Sequence, residues 1–362
     1  MDFTLDPGQR ELAGLARRIL AGRLTAERLR GADGLDKDLC ADLAGAGVLS
    51  AGLPESAGGA GLGLLGHCCV LTELGRAVAP VPYLSSIVLG AGAITRFGTA
   101  AQRDRWAAPA GRGELVLTAA LAEEDAEDPR APSARAEPAA GGWRLSGVKT
   151  TVPAAAQAEL MLVPAATTDG VTVFLVAPGD DGVTGQPQQV TGGSAGRVVL
   201  DGVRLGEDRV LHGPVTPWLL AHGTVGLCAL QLGVVERALE LTAEYARTRV
   251  QFGRPIGAFQ AVRQRLADAS IDVEAVRLTM WQAAWRLAAG RPDDGAIATA
   301  KFWAADAGHR VAHTAVHVHG GVGIDLDYPL HRYFTAAKQN EFALGGATTQ
   351  LRRIGAALAG TG

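Results

Sequence analysis

The sequence predicts an α+β protein in three consecutive parts: an N-terminal helical domain over residues 1–114, a small antiparallel β barrel or sandwich over 115–212, and a C-terminal four-helix bundle over 213–362. Three observations carry this. Apolar residues recur with helical period at the start of the chain, short Val/Thr/Leu runs punctuated by Gly, Pro and Asp fill the middle, and long unbroken helical patterns fill the end. At 362 residues the chain is also too long for one small core.

In order along the chain, Asp6-Pro7 offers an N-cap and an N1 proline, and Gln9 to Leu24 follows with helical period. A second helical run, Leu35 to Ala46, ends in glycines. The glycines of the stretch Leu53 to Gly63 rule out a continuous helix there, and helical texture resumes from Leu65 to about Gly75. Pro80-Val-Pro-Tyr83 breaks it, with a further helix expected before Arg112. The strand-like runs are Leu115 to Ala120, Trp143 to Ser146, Leu160 to Val163, Val171 to Val176 and Arg197 to Leu200, the last leaving through an Asp201-Gly202 turn. Four long helical patterns then span Leu219 to Val250, Gln260 to Ala289, Asp293 to Gly320 and Leu326 to Ala359, lengths suited to an antiparallel bundle.

Composition narrows the function classes. Apolar residues at 48% and charged residues at 20% exclude disorder for most of the chain. A net charge of −3 without long runs of one sign leaves no electrostatic footprint for nucleic acid, and 5% aromatics argue against base-stacking platforms. Cys40, Cys68, Cys69 and Cys228 form no CxxC pair, so neither a disulfide scaffold nor a cysteine-ligated zinc is expected, and a reducing, cytoplasmic setting is. The acidic, amphipathic start is unlike a secretory leader. The apolar stretch Trp218 to Val235, interrupted by His222, Thr224 and Gln231, reads as a buried helix and not a membrane span. No GxGxxG or P-loop follows any strand, so a nucleotide-binding α/β layer is not expected.

The sharpest local feature is Tyr245 to Gln260. A helix ends at Phe252-Gly253, Pro255 enforces the break, and another helix begins near Phe259. Arg247 and Arg249 at that end either complement the helix dipole or present guanidinium groups to an anion. His309, His313 and His317 recur at i, i+4, i+8, a spacing that can grip zinc. With no nearby carboxylate but Asp306 and no HExxH, packed helix histidines are the favoured reading.

The string RVQFGRPIGAFQAV closely resembles the R-x-x-F-G-x-x-I-x-x-x-Q loop of the acyl-CoA dehydrogenase family. The likeness continues through Leu266-Ala-Asp268 to Val316-His-Val-His-Gly320-Gly321-Val-Gly323 and Tyr328-Pro329-Leu-His-Arg332. Farther back, Pro54-Glu55-Ser-Ala-Gly58-Gly59-Ala-Gly61 is similar to that family's P-E-x-x-G-G-x-G loop, and Leu200-Asp-Gly-Val-Arg204 to the strand closing its β domain. The resemblance covers the whole chain and implies the same α, β, α order.

It also implies a cofactor, FAD, held between the β domain of one subunit and the bundle of its neighbour. The residues that would reach a neighbour's FAD are Arg249, Gln251, Phe252 and Gln260, then His317, Val318, His319, Gly320 and Gly321. A diphosphate needs charge and donors, and glycine backbone allows close approach. The family's own-flavin loop, T-E-P-x-x-G-S-D, corresponds to the acidic stretch Leu121 to Pro129, which lacks that glycine and serine and whose carboxylates would repel a diphosphate. Its W-x-T-N strand corresponds to Thr150-Thr151-Val152-Pro153, without the tryptophan. The family's catalytic glutamate has two alternative positions. One falls within Leu344 to Thr349, which holds no carboxylate; the other falls at Gly223. His222 and Glu341 are weak substitutes. Glu341 reads more readily as a solvated helix residue and His222 as a helix-core histidine.

The expectation is therefore a subunit that completes the FAD site of a homologous acyl-CoA dehydrogenase partner acting on an acyl-CoA or acyl-carrier thioester. The alternatives are a self-sufficient FAD-dependent dehydrogenase with a non-standard base, working as a homo-oligomer, a reduced-flavin monooxygenase of the same fold, and a flavin-free scaffold.

Overall fold

The computed structural model describes residues 4–25, 28, 35–190 and 193–360, so the first three residues of the amphipathic start lie outside it. Helix α1, Pro7–Arg23, opens on a reciprocal capping box: the Asp6 side chain accepts from Gln9 N (2.8 Å) and the Gln9 side chain accepts from Asp6 N (3.1 Å). Helix α2 is Lys37–Gly45, capped by the Asp36 side chain, and α3 is Gly63–Ala77. Helix α4, Tyr83–Phe97, is π-wound over Tyr83–Ala91, and short helical turns continue to Gly111.

Eight strands follow: β1 Leu117–Ala119, β2 Arg135–Ala139, β3 Gly142–Pro153, β4 Leu160–Thr167, β5 Gly170–Val176, β6 Val183–Val190, β7 Gly193–Leu205 and β8 Val210–Leu211. They form one sheet in the order β6-β7-β3-β2-β4-β5-β8, with β1 added alongside β4. The sheet is mixed and not purely antiparallel: β1 runs parallel to β4, with Leu117 opposite Leu160, and β2 also meets β4 in parallel at Arg135–Ala166. Strand texture gives no direction when the paired strands are not consecutive, which is why the sequence did not reveal this. Strand β6 was missed for another reason. It is an exposed edge strand, VTGQPQQV, with Pro187 inside it and almost no buried face, so it shows no apolar alternation. Phe174, Val163, Leu145, Leu200 and Val203 pack the sheet's core.

Helix α5 spans Val215–Thr248, α6 Gln260–Ala288, α7 Asp294–His319, α8 Leu330–Phe342 and α9 Ala347–Ala359. Among the described residues α5 is the one helix long and apolar enough to cross a membrane, and most of that apolar window is buried within the protein. The fourth long pattern is two helices. Leu344 (φ +57°) and Gly345 (φ +94°) turn the chain between α8 and α9, a left-handed stretch that glycine permits and helix cannot continue through.

Contacts divide the chain into two compact units, one of Met1–Arg30, Cys68–Ala79 and Thr224–Gly362, the other of Gly31–His67 and Pro80–Gly223. The second contains the whole sheet. Within the first, α3 and α5 touch backbone to backbone: a Cβ on Gly75 would strike Leu230 O, and one on Gly233 would strike Thr72 O. Beside that contact Arg76 bonds Glu236 and Glu240, each at 2.8 Å, and Tyr333 donates to Arg76 O at 2.8 Å.

Candidate functional site

The motif-bearing segment begins where α5 stops. Val250–Gln251 and Arg254–Pro255 pair as a two-strand hairpin whose tip is Phe252-Gly253, both left-handed (φ +51° and +76°). The turn holds the Phe252 ring 92% exposed, edge-on to Phe259 at 6.2 Å between ring centres, with the Arg254 guanidinium 4.3 Å over the Phe259 ring. Arg249 O accepts from Ile256 N, so the chain returns directly to the root of the hairpin. The Arg249 guanidinium is exposed and has no partner among the described residues; Gln251 and Gln260 are exposed as well. Helix α6 starts at Gln260 with no side-chain cap, leaving its first N–H groups open to an anion.

The end of α7 lies alongside. Tyr245, one turn before Arg249, stacks on His319 at 4.3 Å. His319 Nδ1 donates to Ala315 O (2.8 Å), and its Nε2 accepts from Tyr328 OH (3.1 Å). Burial holds the His319 imidazole below its usual pKa, so it is neutral. His319 and Val318 thus face inward and fix the two helix ends together, while His317, Gly320 and Gly321 face outward. Gly320 has φ +63° and ψ −142°, a conformation only glycine adopts readily. Of the nine residues expected at the cofactor, seven are therefore exposed around these two helix ends, and the two inward ones position them. The donors, the free guanidinium and the bare glycine backbone suit a dinucleotide diphosphate.

The sheet offers a different picture. The acidic run after β1 is only partly bare, since Asp125 and Glu127 are exposed but Glu123 and Glu124 are paired. Glu123 is buried and bonds the equally buried Lys149, Ser133 N and Oγ (2.5 Å each) and Ala134 N (3.3 Å). Burial opposes its charge, but Lys149 and Ser133 outweigh that and hold the carboxyl below the usual range. Lys149 also donates to Pro164 O (2.7 Å), and Glu124 pairs with Arg197 (2.8 Å). The expected repulsion of a diphosphate by this run is thus softened at Glu123 and Glu124.

Farther along, β3 bulges between Lys149 and Val152, where its register on β7 shifts, and Thr151 (φ +46°) and Ala154 (φ +50°) are left-handed. Gln188 reaches across the bulge: its Oε1 accepts from Thr151 N (2.7 Å) and its Nε2 donates to Thr150 Oγ1 (3.0 Å). Thr118 Oγ1 donates to Pro153 O (2.6 Å). The polar groups of the segment that would face a resident flavin are spent on the protein itself.

The two positions for a base hold none. The turn after α8 is pinned by two buried side chains: Gln350 Nε2 donates to Leu344 O (3.2 Å) and Gly345 O (3.0 Å), and Lys301 Nζ to Asn340 O (3.1 Å) and Glu341 O (3.0 Å). Burial pushes the Lys301 pKa down to about 8. The Glu341 carboxylate bonds Lys338 (2.5 Å) and His309 (3.2 Å), an ion cluster rather than a free base. His309 in turn stacks near His313 (4.3 Å), which sets its edge on Phe334, so these two histidines of the row are engaged in packing and in that cluster. His222 Nδ1 donates to Trp218 O (3.0 Å), its ring stacks on Trp218 (3.9 Å), and burial pushes its pKa down to about 4. A neutral imidazole with so low a pKa is a weak base. Sequence reasoning missed Lys149, Gln188, Lys301 and Gln350. Of these, only a lone lysine inside an apolar strand, Lys149, carried a readable signal.

Two family profiles match the chain: the acyl-CoA dehydrogenase N-terminal domain over residues 6–114 and the acyl-CoA dehydrogenase C-terminal domain over 213–359. The chain belongs to the acyl-CoA dehydrogenase family. These are flavoprotein oxidoreductases. Among its relatives, Acyl-CoA dehydrogenase FadE27 of Mycobacterium tuberculosis is 50% identical over 375 residues, covering 100% of both proteins. A chain in the crystal structure of the ChsE4-ChsE5 complex from Mycobacterium tuberculosis is 51% identical with a TM-score of 0.95, covering 99% of each chain. A chain of the Tcur3481-Tcur3483 steroid ACAD G363A variant is 44% identical with a TM-score of 0.93, covering 98% of each. The first of these structures is a complex, ChsE4-ChsE5, and the second is a steroid ACAD with the paired name Tcur3481-Tcur3483. The fold class of this acyl-CoA dehydrogenase family chain is the one its sequence predicts, with the mixed sheet and the divided last helix as the differences.

Proposed function

We propose that this chain is the non-catalytic subunit of a hetero-oligomeric acyl-CoA dehydrogenase, completing the FAD site of a homologous subunit that α,β-dehydrogenates an acyl thioester. Arg249, Gln251, Phe252, Gln260, His317, Gly320 and Gly321 would hold the partner's dinucleotide, with Val318 and His319 positioning that face. When bound, FAD supplies the hydride acceptor. This chain's part is electrostatic: the Arg249 guanidinium and the open N–H groups of α6 neutralise diphosphate charge.

One observation carries the proposal: the turn where a family base would stand is Leu344-Gly345-Gly346, locked by Gln350, without a carboxylate to take the α-proton. A missing general base costs on the order of 10²–10⁴ in rate. The self-sufficient reading needs Glu341 or His222 to serve instead, and the first is committed to Lys338 while the second is held neutral by burial. The likeness to the Tcur3481-Tcur3483 steroid ACAD supports a bulky, ring-bearing acyl group on the thioester. The four unpaired cysteines support a cytoplasmic location.

The test is a visible spectrum from 350 to 500 nm, taken on the chain purified alone and copurified with a homologous subunit carrying the full flavin and base motifs. Flavin with thioester-dependent bleaching is expected only in the copurified complex. Stoichiometric flavin in the chain alone, bleached by acyl-CoA, overturns the proposal.

A further inference from the structure

The sheet-bearing unit carries a half-open cavity of about 340 Å³ that no residue of the cofactor face lines. Its walls come from the loop before α3, the first turn of α3, the middle of α4 and the start of α5. Backbone and ring fit closely there: a Cβ on Gly52 would collide with the His67 imidazole, and one on Gly92 with Trp218.

Three polar groups lining this cavity have hydrogen-bonding capacity left over. His67 is only 6% exposed, and its one hydrogen bond joins Nδ1 to Tyr83 OH (2.8 Å), so Nε2 is unmatched. His222 spends Nδ1 on Trp218 O, leaving the Nε2 lone pair as an acceptor. Arg96 is exposed and has no partner among the described residues. A ring nitrogen without a protein partner at a cavity wall is met by water or by the polar group of a ligand. The rest of the lining is mainly apolar or flat, with Leu64, Val88 and the Trp218–His222 stack; of its two hydroxyls, Ser56 and Thr95, the second donates to Ala91 O (2.7 Å).

The geometry points to a binding site for a small monocarboxylic acid with a flat apolar body, its carboxylate on Arg96 and its body along Trp218 and Val88. A guanidinium fork matches a carboxylate, and a ring slab beside aliphatic side chains takes a flat hydrocarbon. Burial pushes His67 to about 3 and His222 to about 4, so both are neutral at physiological pH. Among the lining residues Arg96 is then the one charge, which matches one negative charge on the occupant. The cavity lies at the small end of ligand pockets, room for an aryl-alkanoic acid and not for a cofactor.

Calorimetric titration of the full chain, without partner or flavin, with 3-phenylpropionate tests this. Saturable one-site binding is expected. Arg96→Gln should weaken it on the order of tenfold, the worth of a lost charge-assisted hydrogen bond. The methyl ester of the same acid should bind the native chain that much more weakly and be indifferent to Arg96→Gln. Val88→Trp should abolish binding by filling the cavity; should that variant fold poorly, the exposed Arg96 substitution and the ester still decide. Absence of saturable heat, equal affinity of Arg96→Gln for the acid, or equal binding of acid and ester overturns the proposal. The titration involves no second subunit, so its failure leaves the helper-subunit reading standing.

Discussion

The ends of α5 and α7 and the bulge of β3 make an instructive contrast. The family resemblance places both at a flavin, and both contain left-handed residues: Phe252, Gly253 and Gly320 in the first, Thr151 and Ala154 in the second. At the helix ends the strained backbone turns unspent groups outward, with Arg249 unpartnered among the described residues and α6 without a side-chain cap. At the bulge the same kind of strain is matched inward, Gln188 taking up Thr150 and Thr151 and Lys149 taking up Glu123. Backbone strain alone therefore does not mark a working site. What separates the two is whether the polar groups around the strain have partners already.

The contrast breaks first at Lys149. Lys149→Met leaves the Glu123 carboxylate buried without its cation, and chemical denaturation should show a loss of roughly 3–5 kcal/mol. If the loss is under 1 kcal/mol, the pair is not what closes the sheet's site. Next comes acid. The folded pKa of His67 lies far below the ordinary value, so its contribution is complete above pH 6.5 and is lost as pH falls toward 3, because only the unfolded chain takes up the proton. Stability should drop by about 3 kcal/mol from this group between pH 6.5 and 4, and His67→Gln should flatten that part of the pH profile.

Arg249→Ala is the opposite probe, on the open side. Thermal melting of the chain should move little, since no protein contact is lost, while FAD retention by the copurified complex should fall about 10²-fold. A variant that melts early but keeps flavin would reverse the roles assigned to the two regions. The smallest effect is expected at Gly320→Ala, where φ +63° with ψ −142° strains any side chain by about 1–3 kcal/mol; a melting curve gives the cost directly.

Much of the fold was legible because it is written locally. The Asp6-Pro7 cap and the helical periods of α5, α6 and α7 each follow from neighbours in sequence, although α5 stops at Thr248, short of the expected end at Phe252-Gly253, which is a hairpin tip. So did the loop that resembles the family's cofactor motif, since its arginine, aromatic and glycines lie within a dozen residues. The division between α8 and α9 was less visible, because Ala, Leu, Thr and Gln continue a helical pattern across the two glycines.

By itself, the amino-acid sequence determined the order of helical and β segments, the absence of a carboxylate from Leu344 to Thr349, and the loop that resembles the family's motif, all properties of adjacent residues. Only the tertiary structure decided that Glu123 is neutralised by Lys149, that Gln188 covers the β3 bulge, that His319 faces Tyr245, and that His67 and His222 line one cavity. Those pairings join residues from 26 to more than 150 positions apart. Hydrogen bonding and desolvation act through space, so the state of a buried charge depends on which distant side chain the fold brings to it.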